Sequence, residues 1–251
     1  MIKNIRNFFR ILRKILQLDK IRKILKLDKK LNLKKIIPEI TEEEIKLINT
    51  INDYSVTPLI RRWFLIKSIH YVNKNRLKGD IVECGIWKGG NLFLSKKIND
   101  LYNIKRKYYG FDTFDGMPPP GKYEDKKWKK IYKTSQLDSF KVSKRDVISF
   151  AKNIFNNISE FRFIEGKVEK TLKDKKNLPK KISLLRLDTD WYDSTKVELN
   201  ILYPKLIKGG ILIIDDYGDM KGAKKAVDEF FKNKKTFLIR IDQSCRMVIK
   251  N

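Results

Sequence analysis

Apolar positions follow two regimes along this chain. At the start, Ile5, Phe8, Phe9, Leu12, Ile15 and Leu16 recur at helical spacing with Lys and Arg between them. The run Arg13-Lys14-Ile15-Leu16-Gln17-Leu18-Asp19-Lys20 then returns nine residues later as Arg22-Lys23-Ile24-Leu25-Lys26-Leu27-Asp28-Lys29. At about 100° per residue, such a shift ends half a turn out of phase. The pattern therefore predicts two short amphipathic pieces with a break near residues 18–20. After Pro38 the regime changes. Thr41 followed by Glu44 reads as a capping box that opens a helix, and residues 61–72 predict a second, apolar-periodic helix. Short apolar runs follow at 81–84, 108–111, 161–164, 182–187 and 211–214, each read as a strand and separated from the next by helical stretches. Runs at 237–241 and 246–249 read as a closing antiparallel pair. Strands alternating with helices predict an α/β fold, a parallel sheet covered on both faces.

Composition bounds this picture without redirecting it. The chain has 251 residues, and its 41% hydrophobic fraction is enough to fill a core without disulfide or zinc staples. Cys84, Cys245 and the lone His70 exclude zinc-finger and His-ligated metal designs, and they fit a reducing, cytoplasmic setting. No apolar run approaches the ~18 residues of a membrane span, and the basic start lacks the features of a secretory signal. The net charge is +27, and residues 1–35 supply +11 of it from thirteen Lys/Arg and two Asp. We therefore divide the chain into a basic tail, 1–37, and a folded domain, 38–251. Within the domain, 113–144 is long, polar and rich in proline at Pro118, Pro119 and Pro120, and it reads as a lid.

The scarce acids carry the chemistry. In an open parallel sheet, ligands bind beyond the carboxyl ends of the strands. The first strand ends in Glu83-Cys84-Gly85-Ile86-Trp87-Lys88-Gly89-Gly90, a glycine turn where backbone can approach a ligand. Its spacing is not the dinucleotide fingerprint, so a NAD site is disfavoured. The second strand ends at Asp112, the position from which such folds hold a ribose; a turn cap is the alternative. Asp188 and Asp190 leave the fourth strand on one side, and Asp215 and Asp216 end the fifth. Four converging carboxylates repel one another. A hard divalent cation, Mg²⁺ rather than zinc, relieves that repulsion; ion pairs to Lys221 or Lys224 are the alternative. Trp87, Trp128, Trp191 and Tyr192 flank these motifs and are candidates for pocket walls, whereas His70 and Cys84 read as structural.

These motifs in order resemble the macrocin O-methyltransferase family. The resembling stretches run from Gly79 to Gly90, from Gly110 to Pro118, from Leu184 to Thr195 and from Tyr203 through Gly209, Gly210, Asp215, Asp216 and Tyr217 to Asp228. The resemblance implies the class I methyltransferase fold, a Rossmann-like seven-stranded sheet with its last strand antiparallel. It implies an S-adenosylmethionine- and Mg-dependent enzyme that methylates a sugar hydroxyl of a glycoside, glycan or natural product. Glu83, Cys84, Gly85, Gly89, Gly90, Asp112 and Asp188 would lie at the cofactor. Asp188, Asp215 and Asp216 would hold the metal, and Asp190 would be the general base, with the roles of Asp188 and Asp190 open to exchange.

Two other functions compete. A metal-dependent glycosyltransferase would use Asp188-Thr189-Asp190, but it has no need of the glycine turn. A basic nucleic-acid-binding protein would account for the charge, yet no nucleic-acid motif is present, so no nucleic acid is expected. The tail could lie on an anionic membrane surface, placing the enzyme peripherally at the inner membrane. Packing of the tail on its own domain, or on a second subunit in a homo-oligomer, is the alternative.

Overall fold

The apolar runs assemble into one sheet. The computed structural model describes residues 35–134 and 140–251. The readings of the tail at 1–34 lie outside the described residues, as do positions 135–139 of the lid segment. The chain divides into two units, Met1–Ile45 and Lys46–Asn251. In the described part of the first, the capping box forms in full. Glu44 N–H donates to Thr41 Oγ1 at 3.2 Å and Thr41 N–H to Glu44 Oε2 at 3.0 Å, opening α1 (Glu42–Asn49).

The second unit carries β1 (Asp80–Cys84), β2 (Tyr108–Asp112), β3 (Phe161–Glu165), β4 (Ile182–Leu187), β5 (Leu206–Ile214), β6 (Ile239–Arg240) and β7 (Arg246–Ile249). They form a seven-stranded sheet in the order β3-β2-β1-β4-β5-β7-β6. β1 pairs in parallel with β2 and β4, β2 with β3, and β4 with β5. β7 alone runs antiparallel, inserted between β5 and β6. The connecting helices are α2 (Leu59–Lys74), α3 (Gly90–Leu101), α4 (Lys126–Tyr132), α5 (Lys144–Ile154), α6 (Val168–Thr171), α7 (Tyr192–Leu202) and α8 (Lys221–Phe231). All six residues of β4 are buried, as expected of a central parallel strand. Val82, Leu185, Leu187 and Leu212 pack there with Leu199 of α7 and Val227 of α8. Each such fully buried aliphatic side chain contributes about 1.5–3 kcal/mol.

Two strands differ from the apolar runs. β5 begins at Leu206 rather than at 211, because Leu206 pairs with Ile182 across an irregularity in the ladder. Gly209, at φ +77, carries the chain through it and donates its N–H to Lys250 O at 2.6 Å. A Gly-Gly pair reads as a turn; here it is an irregularity inside a strand. At the other edge only Ile239 and Arg240 pair, and Phe237 stands 82% exposed.

Candidate functional site

The topology brings the carboxyl ends of β1, β4 and β5 side by side. Glu83 lies opposite Arg186, and Leu187 opposite Ile214, which places Asp188 beside Asp215. Alternation along the strands puts Arg186 and Asp188 on one face. Arg186 is only 2% exposed and its guanidinium is the hub of the cluster. Nη1 donates to Glu83 Oε1 at 2.6 Å and to Asp188 Oδ2 at 2.7 Å, and Nη2 donates to Asp215 Oδ1 at 2.6 Å. Arg61 of α2 closes the other side, donating from Nη1 to Asp215 Oδ2 at 2.5 Å and from Nε to Asp242 Oδ2 at 2.6 Å. The counter-ions in this structure are thus arginines. Lys221 pairs with Asp125, and Lys224 with Asp228.

Asp188, Asp215 and Asp216 each offer a carboxylate oxygen within 4.8 Å of the others, the geometry of a cation site. Asp190 lies close enough to Asp188, Asp215 and Asp216 to interact electrostatically with all three. Burial, with the negative charges of Asp188 and Asp215, pushes the Asp190 carboxyl well above the usual carboxylate range. Asp216 is pushed up likewise, by burial and by its acidic neighbours. Burial raises Asp188 to about 6 against the opposing charge of Arg186. Asp190 sits at φ +66, and Trp191 N–H donates back to Thr189 O at 2.8 Å. This tight three-residue turn is strained for a non-glycine residue. Its neighbours hold it in place: Thr189 Oγ1 donates to Glu198 Oε1 at 2.9 Å, and Ser194 Oγ donates to Trp191 O at 3.0 Å.

The glycine turn abuts this cluster. Gly85 has φ +79, and a Cβ there would lie 2.7 Å from the carbonyl carbon of Asp188. Only glycine lets the turn after β1 run against the turn after β4. Gly89, at φ +86, precedes α3, which begins at Gly90. Trp87 N–H donates to Asp112 Oδ2 at 2.9 Å, and Phe114 N–H donates to Asp112 Oδ1 at 2.9 Å. Asp112 therefore ties the glycine turn to the end of β2. Glu83, buried and raised to about 7 by that burial, also accepts from Asn91 Nδ2 at 3.1 Å. Cys84 is fully buried beneath the turn.

The profile of the family Macrocin-O-methyltransferase (TylF) matches residues 54–249. The chain belongs to this family. It is 32% identical over 160 residues to demethyldecarbamoylnovobiocin O-methyltransferase of Streptomyces niveus, covering 62% of this chain and 59% of that one. It is 26% identical over 167 residues to mycinamicin III 3''-O-methyltransferase of Micromonospora griseorubida, covering 62% of each. The chain thus spans about three-fifths of the length of the curated relatives it matches. Among solved structures, the O-methyltransferase NovP superposes with a TM-score of 0.73 at 28% identity, over 79% of this chain and 82% of that one. The fold is that of class I methyltransferases.

In this family member, Glu83, Cys84, Gly85, Asp188, Asp215 and Asp216 meet at one end of the sheet, with Asp190 beside them. Gly89, Gly90 and Asp112 lie along the adjoining turn. Trp128 and Trp191 meet edge to face at 6.2 Å, and Trp87 lies tilted against Phe140, also at 6.2 Å. Tyr192 packs its ring on Tyr123 of the lid segment, centroids 4.2 Å apart, and its hydroxyl donates to Glu229 Oε2 at 2.6 Å. His70 sits in α2 against Tyr102. Sequence reasoning missed Arg186 and Arg61. Arg186 had a visible signal, because a cation inside an otherwise apolar central strand must be paired when buried. Arg61 had none, since its partners are 154 and 181 residues away.

Proposed function

We propose that this protein is an S-adenosylmethionine-dependent O-methyltransferase that uses Mg²⁺ and acts on a sugar hydroxyl of a natural product or glycoside. The observation that carries this reading is the trio Asp188, Asp215 and Asp216, with Asp190 beside it, set against a glycine turn at the end of β1. The donors suit the groups proposed. Three hard oxygens converge here, and burial with acidic neighbours raises the carboxyls of Asp188 and Asp216; a divalent cation relieves that crowding of charge. On the cofactor side, the indole N–H of Trp87 is buried within the described residues without a partner. Glu83 and the Gly85–Gly90 backbone would face the methionine end of the cofactor, and Asp112 its ribose. When bound, the sulfonium supplies an electrophilic methyl group and the cation supplies Lewis acidity at the hydroxyl.

The protein's own residues do the rest. The β1 and β4 turns align acceptor and donor so that displacement is in line. The Asp190 carboxylate takes the hydroxyl proton, its proton affinity raised by burial and by the charges of Asp188 and Asp215. Arg186 occupies an oxygen of Asp188, which supports the ligand role for Asp188 and the base role for Asp190. The test is transfer of labelled methyl from S-adenosylmethionine to a panel of deoxysugar glycosides. Incorporation that stops with EDTA and returns with Mg²⁺ is expected. Incorporation indifferent to EDTA would remove the metal from the account.

The comparisons support the acceptor class: the relatives named above are O-methyltransferases of demethyldecarbamoylnovobiocin and of mycinamicin III. The basic tail, 1–37, is proposed as a segment apart from the methyltransferase domain, and 113–144 as its lid.

A further inference from the structure

Helices α7 and α8 follow directly on the two acidic loops, and neither has a side-chain cap of its own. Trp191 and Met220 occupy the N-cap positions and accept no side-chain capping bond. Their first backbone N–H groups would be left without acceptors. Both turn to one carboxylate that comes from the segment read as a lid. Tyr192 N–H donates to Glu124 Oε1 at 2.8 Å, and the backbone at Gly222 lies directly against the same carboxylate. Glu124 is 6% exposed, although the sequence around it is polar. A negative charge shared by two helix N-termini is favourably placed.

A second observation points the same way from the opposite partner. A Cβ at Gly222 would stand 2.5 Å from Glu124 Cδ, and closer still to both carboxylate oxygens. Residue 222 has no left-handed φ that would call for glycine, and the atoms nearest a side chain there are those of the Glu124 carboxylate. Around this contact, Met117 and Trp128 of the lid segment pack on Trp191, Met220 and Ala223. Trp191 Nε1 donates to Pro118 O at 2.9 Å. The lid segment is therefore fastened to the turn that follows Asp190 and to the helix that follows Asp216.

We infer that Glu124 is a positioning residue, a latch that holds residues 117–128 on the N-termini of α7 and α8 and so sets the wall beside the acidic cluster. That this wall faces an acceptor rests on the proposed function; the latch itself does not. The test compares wild type, Glu124→Gln, Gly222→Ala and the double variant. Amide exchange is read at residues 117–128, Tyr192 and Gly222, and tryptic cleavage at Lys122, Lys126, Lys127, Lys129, Lys130 and Lys133. Each single variant is expected to speed lid cleavage and lid exchange about tenfold, the order of losing a shared cap. Exchange in β1, β4 and β5 and the affinity for S-adenosylhomocysteine stay within about twofold of wild type. The double variant is expected to be no worse than either single, because both remove one contact. Where Glu124→Gln does not fold, Gly222→Ala, which keeps the carboxylate and only displaces it, carries the same test. Lid exchange unchanged in the variants, acceleration spread evenly over the sheet, or additive effects in the double variant would each overturn the latch. Absence of methyl transfer in wild type alongside lid-specific effects would sink the function and leave the latch standing.

Discussion

Replacing Arg186 by methionine removes the hub of the acidic cluster, and the structure says where the cost falls. Asp215 keeps its 2.5 Å pair with Arg61, and the Asp188 side chain is 25% exposed, so water shares its charge. Glu83, with its side chain 4% exposed, keeps only the neutral Asn91. Removing one member of a buried ion pair costs about 3–5 kcal/mol, because the other charge is left uncompensated. Glu83 can escape part of that cost by protonating. Its folded value, already raised by burial to about 7 from an ordinary 4.5, rises further once the guanidinium is gone. A raised carboxyl destabilises the fold progressively as pH rises through the window from its unfolded to its folded value. Wild type makes the same loss up to about pH 7, so the penalty of Arg186→Met should grow by about 1 kcal/mol from pH 6 to pH 8, at up to about 1.36 kcal/mol per unit. Urea unfolding of wild type, Arg186→Met, Glu83→Gln and the double variant at both pH values measures this. At pH 8 the double variant should be about 2 kcal/mol more stable than Arg186→Met alone. A penalty that ignores pH, or costs that simply add, would refute the view that Arg186 is the counter-ion of Glu83.

Three further outcomes follow from the same contacts. Gly85→Ala must adopt φ +79 and push a Cβ against the Asp188 backbone; a loss of about 3 kcal/mol or more is expected in thermal melts, and near-wild-type stability would contradict the close approach. Glu198, buried and raised to about 8, is neutral at pH 7 and loses stability for the fold as pH rises from about 4.5 through 8. Glu198→Gln should flatten that fall and be the more stable protein at pH 9 by about 1–3 kcal/mol, as read by chemical unfolding across pH. Asp190→Asn should lower kcat by about 10²–10⁴ while leaving S-adenosylhomocysteine affinity unchanged; equal loss of both would remove Asp190 from the proton transfer.

How much of this was legible in the chain differs by level. Strands β1, β2 and β4 announce themselves as apolar runs, each closed by glycine or an acid, because a strand buried on both faces leaves no room for alternation; β3, at the sheet edge, is only partly buried. The acids at their ends were equally visible, since the site lies where such strands stop. The extension of β5 through Gly209 and Gly210 was hidden, because pairing with β4 overrides the turn preference of two glycines. The counter-ions were harder. Arg186 stands in plain view within β4, but its partners are set by register across three strands. Arg61 opens an apolar-periodic helix and Glu124 lies in a polar stretch, and only tertiary contact reveals the first as an ion-pair partner of Asp215 and the second as a buried capping partner.

The central claim is that the turn after β1 and the acids of β4 and β5 form one cofactor site. Isothermal titration of the full chain with S-adenosylhomocysteine tests it most directly. The account predicts saturable one-site binding at micromolar concentrations that is weakened about tenfold or more by Asp112→Asn, as expected when a buried polar partner is lost. No binding up to high micromolar ligand would contradict it.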